Sequence, residues 1–179
     1  CVSSTSTKVV TVNSNPVPVI SGLTSVCISQ TGVVYSSSGT GPTYLWTVAG
    51  GVIASGQGTN SINVDWNGVA GLGTVQLQET NASSCSITTA LYNVTKNSLP
   101  VASAGLAEIV CAGVSVTLGG SPSATGGSGT YGYSWSGPGG YTSTLANPVL
   151  SSVTVAQSGS YILTVTDGLG CVSSTSTKV

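Results

Sequence analysis

Apolar and polar positions alternate along this chain in short runs, and each run stops at turn-forming residues. Ser61-Ile-Asn-Val-Asp-Trp66 places Ile62, Val64 and Trp66 on one face, and Tyr161-Ile-Leu-Thr-Val-Thr166 does the same for Tyr161, Leu163 and Val165. A period of two is the pattern of half-buried β-strands. Gly39-Thr-Gly-Pro42, Gly50-Gly51, Gly56-Gln-Gly58 and Asn67-Gly68 supply the breaks between them. The pattern predicts strands near 17–20, 24–28, 31–36, 43–48, 52–55, 60–66, 73–80 and 86–95. A second set falls near 101–103, 108–112, 114–118, 130–136, 140–145, 152–156, 160–166 and 172–179. Seven or eight short strands per half predict an all-β protein of two sandwiches.

Composition sharpens this. Of 179 residues, 31 are Ser, 24 Thr, 25 Val and 25 Gly, a mixture that favours extended chain and turns over helix. Three Lys oppose Asp65, Glu79, Glu108 and Asp167, so the formal net charge is −1 and only 4% of residues are charged. Lys8, Lys96 and Lys178 are too few and too scattered for nucleic-acid binding, which needs clustered cations. No apolar run approaches the length of a membrane span, and no segment resembles a signal peptide, so an export signal is expected outside this stretch.

The chain also repeats itself. Cys1-Val-Ser-Ser-Thr-Ser-Thr-Lys-Val9 recurs letter for letter as Cys171–Val179, an offset of 170. Nine identities in nine positions indicate a window slightly longer than one period of a tandem array. Within the period lies an older duplication. Gly73-Thr-Val-Gln-Leu-Gln-Glu-Thr-Asn-Ala-Ser-Ser-Cys85 aligns without gaps with Gly159-Ser-Tyr-Ile-Leu-Thr-Val-Thr-Asp-Gly-Leu-Gly-Cys171. Twelve residues after Cys85 comes Asn97-Ser-Leu-Pro-Val, and twelve after Cys1 comes Asn13-Ser-Asn-Pro-Val. The expected organisation is therefore residues 1–15 as the last strand of a preceding domain, 16–97 as one complete domain, and 98–179 as a second whose last strand continues past Val179. The short junctions contain Pro and predict a semi-rigid rod, with each domain advancing it roughly 35–40 Å.

Five cysteines fit the repeat. Cys27 with Cys85 and Cys111 with Cys171 form two intradomain pairs of nearly equal separation, 58 and 60 residues. Cys1, the copy of Cys171, is then assigned a partner in the preceding repeat. Such bonds imply an oxidising compartment and hence export. Tyr44-Leu-Trp46 and Tyr133-Ser-Trp135 sit at matching places, with each Tyr and Trp on one strand face, and are the expected core anchors. Trp66 has no counterpart in the second half and reads as core, cap or exposed contact.

Pro18-Val-Ile-Ser-Gly22, Val26-Cys27, Tyr44-Leu-Trp46-Thr-Val48, Gly50-Gly-Val-Ile53, Ser55-Gly-Gln-Gly-Thr-Asn60, Ile62, Val64 and Trp66 together resemble the PKD-like, immunoglobulin-like repeats of giant bacterial surface proteins. Val110-Cys-Ala-Gly113, Leu118-Gly-Gly120, Gly126-Gly-Ser-Gly129, Tyr133-Ser-Trp135 and Thr164-Val-Thr-Asp167 resemble a neighbouring class of the same repeats. Ser158-Gly-Ser-Tyr161-Ile-Leu-Thr-Val is similar to the strand that carries a corner tyrosine in immunoglobulin-like sandwiches; Val75 replaces it in the first half. The resemblance implies tandem immunoglobulin-like (PKD-like) Greek-key sandwiches in extracellular adhesins, including gliding-motility adhesins exported by the type IX pathway, where such modules serve as stalks.

Catalytic chemistry has little to build on. The chain lacks His, which removes imidazole bases, His triads and His metal sites. Asp65 and Glu79 could be neighbours on adjacent strands, but such a pair is ordinarily a solvated or turn-stabilising one. Asp167-Gly168 is explained by an Asx turn without metal, and Gly126-Gly-Ser-Gly129 lacks the Lys and helix of a phosphate loop. No cofactor or metal is expected, and the chain is not read as an enzyme. Its expected role is a disulfide-stabilised stalk or spacer of a long adhesin or surface filament at the bacterial cell surface. Its partners would be neighbouring repeats of the same polypeptide, laterally associating copies, and surface glycans met through distal regions. The alternatives are a glycan-binding module that uses Trp66 or Tyr141, and a filament subunit assembled by donor-strand exchange.

Overall fold

The computed structural model describes residues 4–179. The first part of the chain supplies β1 (Ile20–Gly22), β2 (Ser25–Cys27), β3 (Val33–Ser37), β4 (Thr43–Ala49), β5 (Gly51–Ser55), β6 (Ser61–Trp66), β7 (Gly71–Thr80), β8 (Ser86–Thr88) and β9 (Tyr92–Asn97). These form a four-stranded sheet of order β1-β3-β6-β5 and a five-stranded sheet in which β2-β9-β7-β4 is extended by β8 along β7. All pairings are antiparallel except β2 on β9. The alternating sequences decide which side faces inward. Ile62, Val64 and Trp66 of β6 and Val75 and Leu77 of β7 are buried, and their polar neighbours are not. Ile20, Val26, Val33, Tyr35, Trp46 and Val94 are buried as well.

The remainder forms β10 (Pro100–Ala102), β11 (Val116–Thr117), β12 (Ala124–Gly126), β13 (Tyr131–Gly137), β14 (Tyr141–Ser143), β15 (Val149–Leu150), β16 (Tyr161–Asp167) and β17 (Ser176–Lys178). A four-stranded sheet of order β14-β13-β16-β17 faces the short pairs β10-β12 and β11-β15 across a core of Leu118, Trp135, Leu150, Tyr161, Leu163 and Val165. Trp135 lies opposite Leu163, as Trp46 lies opposite Leu77 in the first sandwich. Each indole donates to a loop carbonyl, Trp46 to Thr59 and Trp135 to Leu145. The close fit needs glycine at specific places. A Cβ on Gly137 would collide with the Tyr161 ring, and one on Gly73 with the Trp66 indole.

Contacts divide the chain into two compact units. One comprises residues up to Thr24 with Gln30–Asn67 and Leu72–Val94; the other comprises Ser25–Ser29, Gly68–Gly71 and Thr95–Val179. The long predicted strands 73–80 and 160–166 are present as β7 and β16. The predicted strand at 108–112 is absent, and 152–156 is replaced in part by a 3-10 turn at Val155–Gln157. Glu108 donates its backbone N–H to Val179 at 3.2 Å, so the segment runs beside the end of β17 without a ladder to join.

Candidate functional site

Because the chain offers little titratable chemistry, its functional geometry centres on the turns that present cysteine. The alignment that pairs Cys85 with Cys171 also pairs Asn81 with Asp167, and both side chains build the same turn. Asn81 Oδ1 accepts from the backbone N–H of Ser83 and Cys85, each at 3.0 Å; Asp167 Oδ1 accepts from Leu169 and Cys171, each at 2.9 Å. Asp167 Oδ2 also accepts from Ser128 N–H at 2.9 Å. Burial alone would raise the Asp167 carboxyl, but these backbone donors and the Ser128 hydroxyl outweigh it and hold the group below the usual carboxylate range. The other cysteines also share a turn. Two residues beyond Cys27, Ser29 takes φ 60°, and two beyond Cys111, Gly113 takes φ 88°.

The structure corrects the expected pairing. Cys27 is bonded to Cys171, with an S–S distance of 2.07 Å and a Cα–Cα distance of 5.6 Å, across 144 residues of sequence. Cys85 and Cys111 carry free thiols, the former half-buried and the latter exposed. Neither expected pair forms because its members sit at opposite ends of the last strand path. Cys27 is in register with Asn97, which follows Cys85 by twelve residues of mainly extended chain, roughly 30–40 Å of travel. A disulfide requires Cα atoms about 4.4–6.8 Å apart. The second sandwich repeats the arrangement: Val179 meets Glu108, so the chain has already run eight residues from Cys171 before reaching the vicinity of Cys111. Cys1 lies outside the described residues.

The duplicated nonapeptide occupies two environments. In its second copy, Ser176-Thr-Lys178 is β17, paired on β16, and Lys178 is buried with its Nζ 2.6 Å from Glu108 Oε1 and 3.0 Å from the Thr117 carbonyl. In the first copy, residues 4–9 are exposed and have no strand partner. Val10 and Val12, which follow that copy, are 71% and 88% exposed. Beyond β17, Val116, Leu118, Leu150, Val153, Tyr161 and Val179 line an apolar groove of about 320 Å³.

The remaining candidate residues have structural positions. Trp46 and Trp135 are buried, whereas Tyr44 and Tyr133 are half-buried. Trp66 is 3% exposed and meets Tyr35 edge-on at 6.0 Å, so no ring face is offered to a glycan. Tyr141 is half-buried against Tyr161 at 5.5 Å. Burial pushes the Tyr35 phenol up to about 12; its hydroxyl donates to the Leu23 carbonyl. Tyr161, raised by burial and then by Tyr141, donates to the Gln157 carbonyl four residues upstream, the corner interaction that its sequence context suggested. Asp65 and Glu79 do not form a pair. They lie on strands of different sheets, where Asp65 accepts from Gly32 N–H and the buried Glu79 accepts from Gly41 N–H. Among the described residues, no group of three or more His, Cys, Asp or Glu could hold a metal ion, and no helix is long and apolar enough to cross a membrane.

A family model described as a PKD-like domain matches residues 13–94. Among solved structures, the chain is similar to DIP-gamma IG1+IG2, at 10% identity and TM-score 0.41, covering 92% of this chain and 96% of that one. It is also similar to the fibronectin(III)-like modules of Clostridium thermocellum CbhA, at 11% identity and TM-score 0.39, covering 89% and 92%. The N-terminal domains of the bacteriophage RB49 Hoc protein match at 15% identity and TM-score 0.40, covering 92% and 58%. No curated protein matches the chain. The sheets, with the family match over residues 13–94, describe an all-β, immunoglobulin-like/PKD-like sandwich architecture that carries a disulfide.

Proposed function

We propose that this chain is a repeat of a long extracellular bacterial adhesin or surface filament of the kind found in gliding, type IX-secreting bacteria, and that it acts as a stalk. Residues 1–15 complete a preceding domain, residues 16–97 form one domain, and residues 98–179 form a second that is completed by the next copy. The observation carrying this reading is that Ser176–Lys178 of one nonapeptide copy is built into a sandwich as β17, while residues 4–9 of the other copy are exposed and unpaired. The open groove supports it further. In the first sandwich, β9 buries Val94 and Lys96 in alternation. The repeat register, in which Asn97 and Asn13 each follow a cysteine by twelve residues, equates these positions with Val10 and Val12. A copy of Val10-Thr-Val12 running on from Val179 would turn both valines towards the groove.

The stalk's task is mechanical: cross-linked sandwiches transmit tension and hold a distal binding region away from the cell. The test is the mass of the fully reduced native polypeptide, expected at many multiples of one period. A mass of one period would overturn the tandem reading and favour strand-exchanged subunits. In parallel, lengthening the chain after Val179 by Val-Thr-Val-Asn should raise the unfolding temperature; Asp in place of both valines should cancel the gain.

A further inference from the structure

The bond between Cys27 and Cys171 passes over Cys85 and Cys111 and joins a cysteine to the third one beyond it. The same rule, applied with the period of 170, leads from Cys111 to the copy of Cys85 in the following repeat. That separation, 255 minus 111, is again 144 residues. The types agree as well as the spacing. Cys111 has the turn of Cys27, with a left-handed residue two positions on, and Cys85 has the side-chain-capped turn of Cys171.

An independent contact points to the same partner. Cys27 stands in parallel register with Asn97. The repeat equates Asn97 with Asn13, so the Cys111 that belongs beside Asn13 is that of the preceding copy. In this structure, Cys85 Sγ lies 3.9 Å from the Asn13 carbonyl oxygen, and Asn81 Nδ2 donates to the neighbouring Ser14 carbonyl at 2.8 Å. The half-buried Cys85 thiol is therefore already held at the place that the incoming cysteine must reach.

We propose that Cys111 of each copy forms a disulfide with Cys85 of the next copy, so that the array carries a staggered ladder of cross-links. This inference rests on the tandem reading. It also assigns Cys1, as the copy of Cys171, to a Cys27 one period upstream. In the oxidation, both S–H bonds break and one S–S bond forms. Two electrons and two protons pass to an external disulfide, either oxidised glutathione or a thiol–disulfide oxidoreductase, which is cleaved to two thiols.

The experiment uses a polypeptide of two successive periods that ends, like the present chain, with a further copy of Cys171–Val179, oxidised in a glutathione redox buffer and digested without reduction for mass spectrometry. The expected products are the Cys27–Cys171 peptide in each period and one further peptide that joins the first copy's Cys111 to the second copy's Cys85, with two fewer free thiols than the first bond alone leaves. Cys85→Ser in the second copy should abolish the new peptide, while Cys85→Ser in the first copy should leave it. The Cys27–Cys171 peptide reports that each variant folds. A first-copy Cys111 and a second-copy Cys85 that both stay free in a chain that has formed Cys27–Cys171, or a Cys85 link lost through the first-copy substitution, would overturn the ladder. A native polypeptide of one period would instead overturn the tandem reading, whatever the two-period chain does.

Discussion

Replacing Cys27 or Cys171 by Ala should destabilise the oxidised chain strongly, and the connectivity makes the effect diagnostic. The bond closes 144 residues. The chain-entropy relation gives about 5 kcal/mol at 25 °C for a loop of that size, an upper-end value because unfolded chains retain structure. Bonds closing the 58 or 60 residues expected from sequence alone would give about 4 kcal/mol each, so magnitude alone does not separate the alternatives. The pattern across variants does. Cys27→Ala and Cys171→Ala remove the same bond, so each should lose several kcal/mol and the double variant should lose little more. Cys171 is 1% exposed, and its variant should be slightly the worse of the two because a small cavity remains. Cys85→Ala and Cys111→Ala, which remove free thiols from a single chain, should change stability by no more than about 0.5 kcal/mol. The assay is urea unfolding of the four variants under oxidising conditions, followed by tryptophan fluorescence, and repeated with reductant, where Cys27→Ala should match the parent. Losses of equal size at Cys27 and Cys85, or at Cys111 and Cys171, would refute the connectivity.

The folded Asp167 carboxyl lies below its unfolded value, so it stabilises the fold above about pH 4 and loses that contribution as the pH falls through the lowered folded value. Asp167→Asn, which installs the residue found at the equivalent Asn81, should fold and should flatten the acid limb of stability measured by urea titration between pH 6 and pH 2.5. Gly137→Ala should cost about 1–3 kcal/mol in thermal unfolding, because the added methyl meets the Tyr161 ring; a Tyr161→Leu background should relieve most of that cost. Glu108→Ala leaves the buried Lys178 ammonium with the Thr117 carbonyl, and should cost about 1–2 kcal/mol, since Glu108 itself is 47% exposed. Lys178→Met should cost less than Glu108→Ala in the same chemical-denaturation assay, and a larger loss would show that the ion pair itself is strongly stabilising.

Alternation and turn residues were enough to read the β class, the two long strands β7 and β16, and the Asx turn at Asp167, because each depends on a few adjacent residues. The recurrence of the nonapeptide is a property of letters alone, and the tandem organisation is an expectation built on it. The disulfide pairing was not. Equal spacings of 58 and 60 residues suggested that each cysteine closes its own domain, but spacing carries no information on which end of a strand path a turn occupies. Trp66 was ambiguous for a similar reason: its place under Gly51 and Gly73 depends on segments that are remote in sequence from one another.

The amino-acid sequence by itself determined the β class, the long strands β7 and β16, the Asx turn at Asp167 and the recurrence of the nonapeptide, because steric preference and side-chain alternation act locally. Only the tertiary structure decided that Cys27 meets Cys171, that Ser176–Lys178 of one nonapeptide copy becomes β17 while residues 4–9 of the other are outside any strand, and that residues 108–112 stay irregular. Those outcomes depend on which partner strand is at hand, since backbone hydrogen bonds and burial reward an extended segment only when another segment lies beside it.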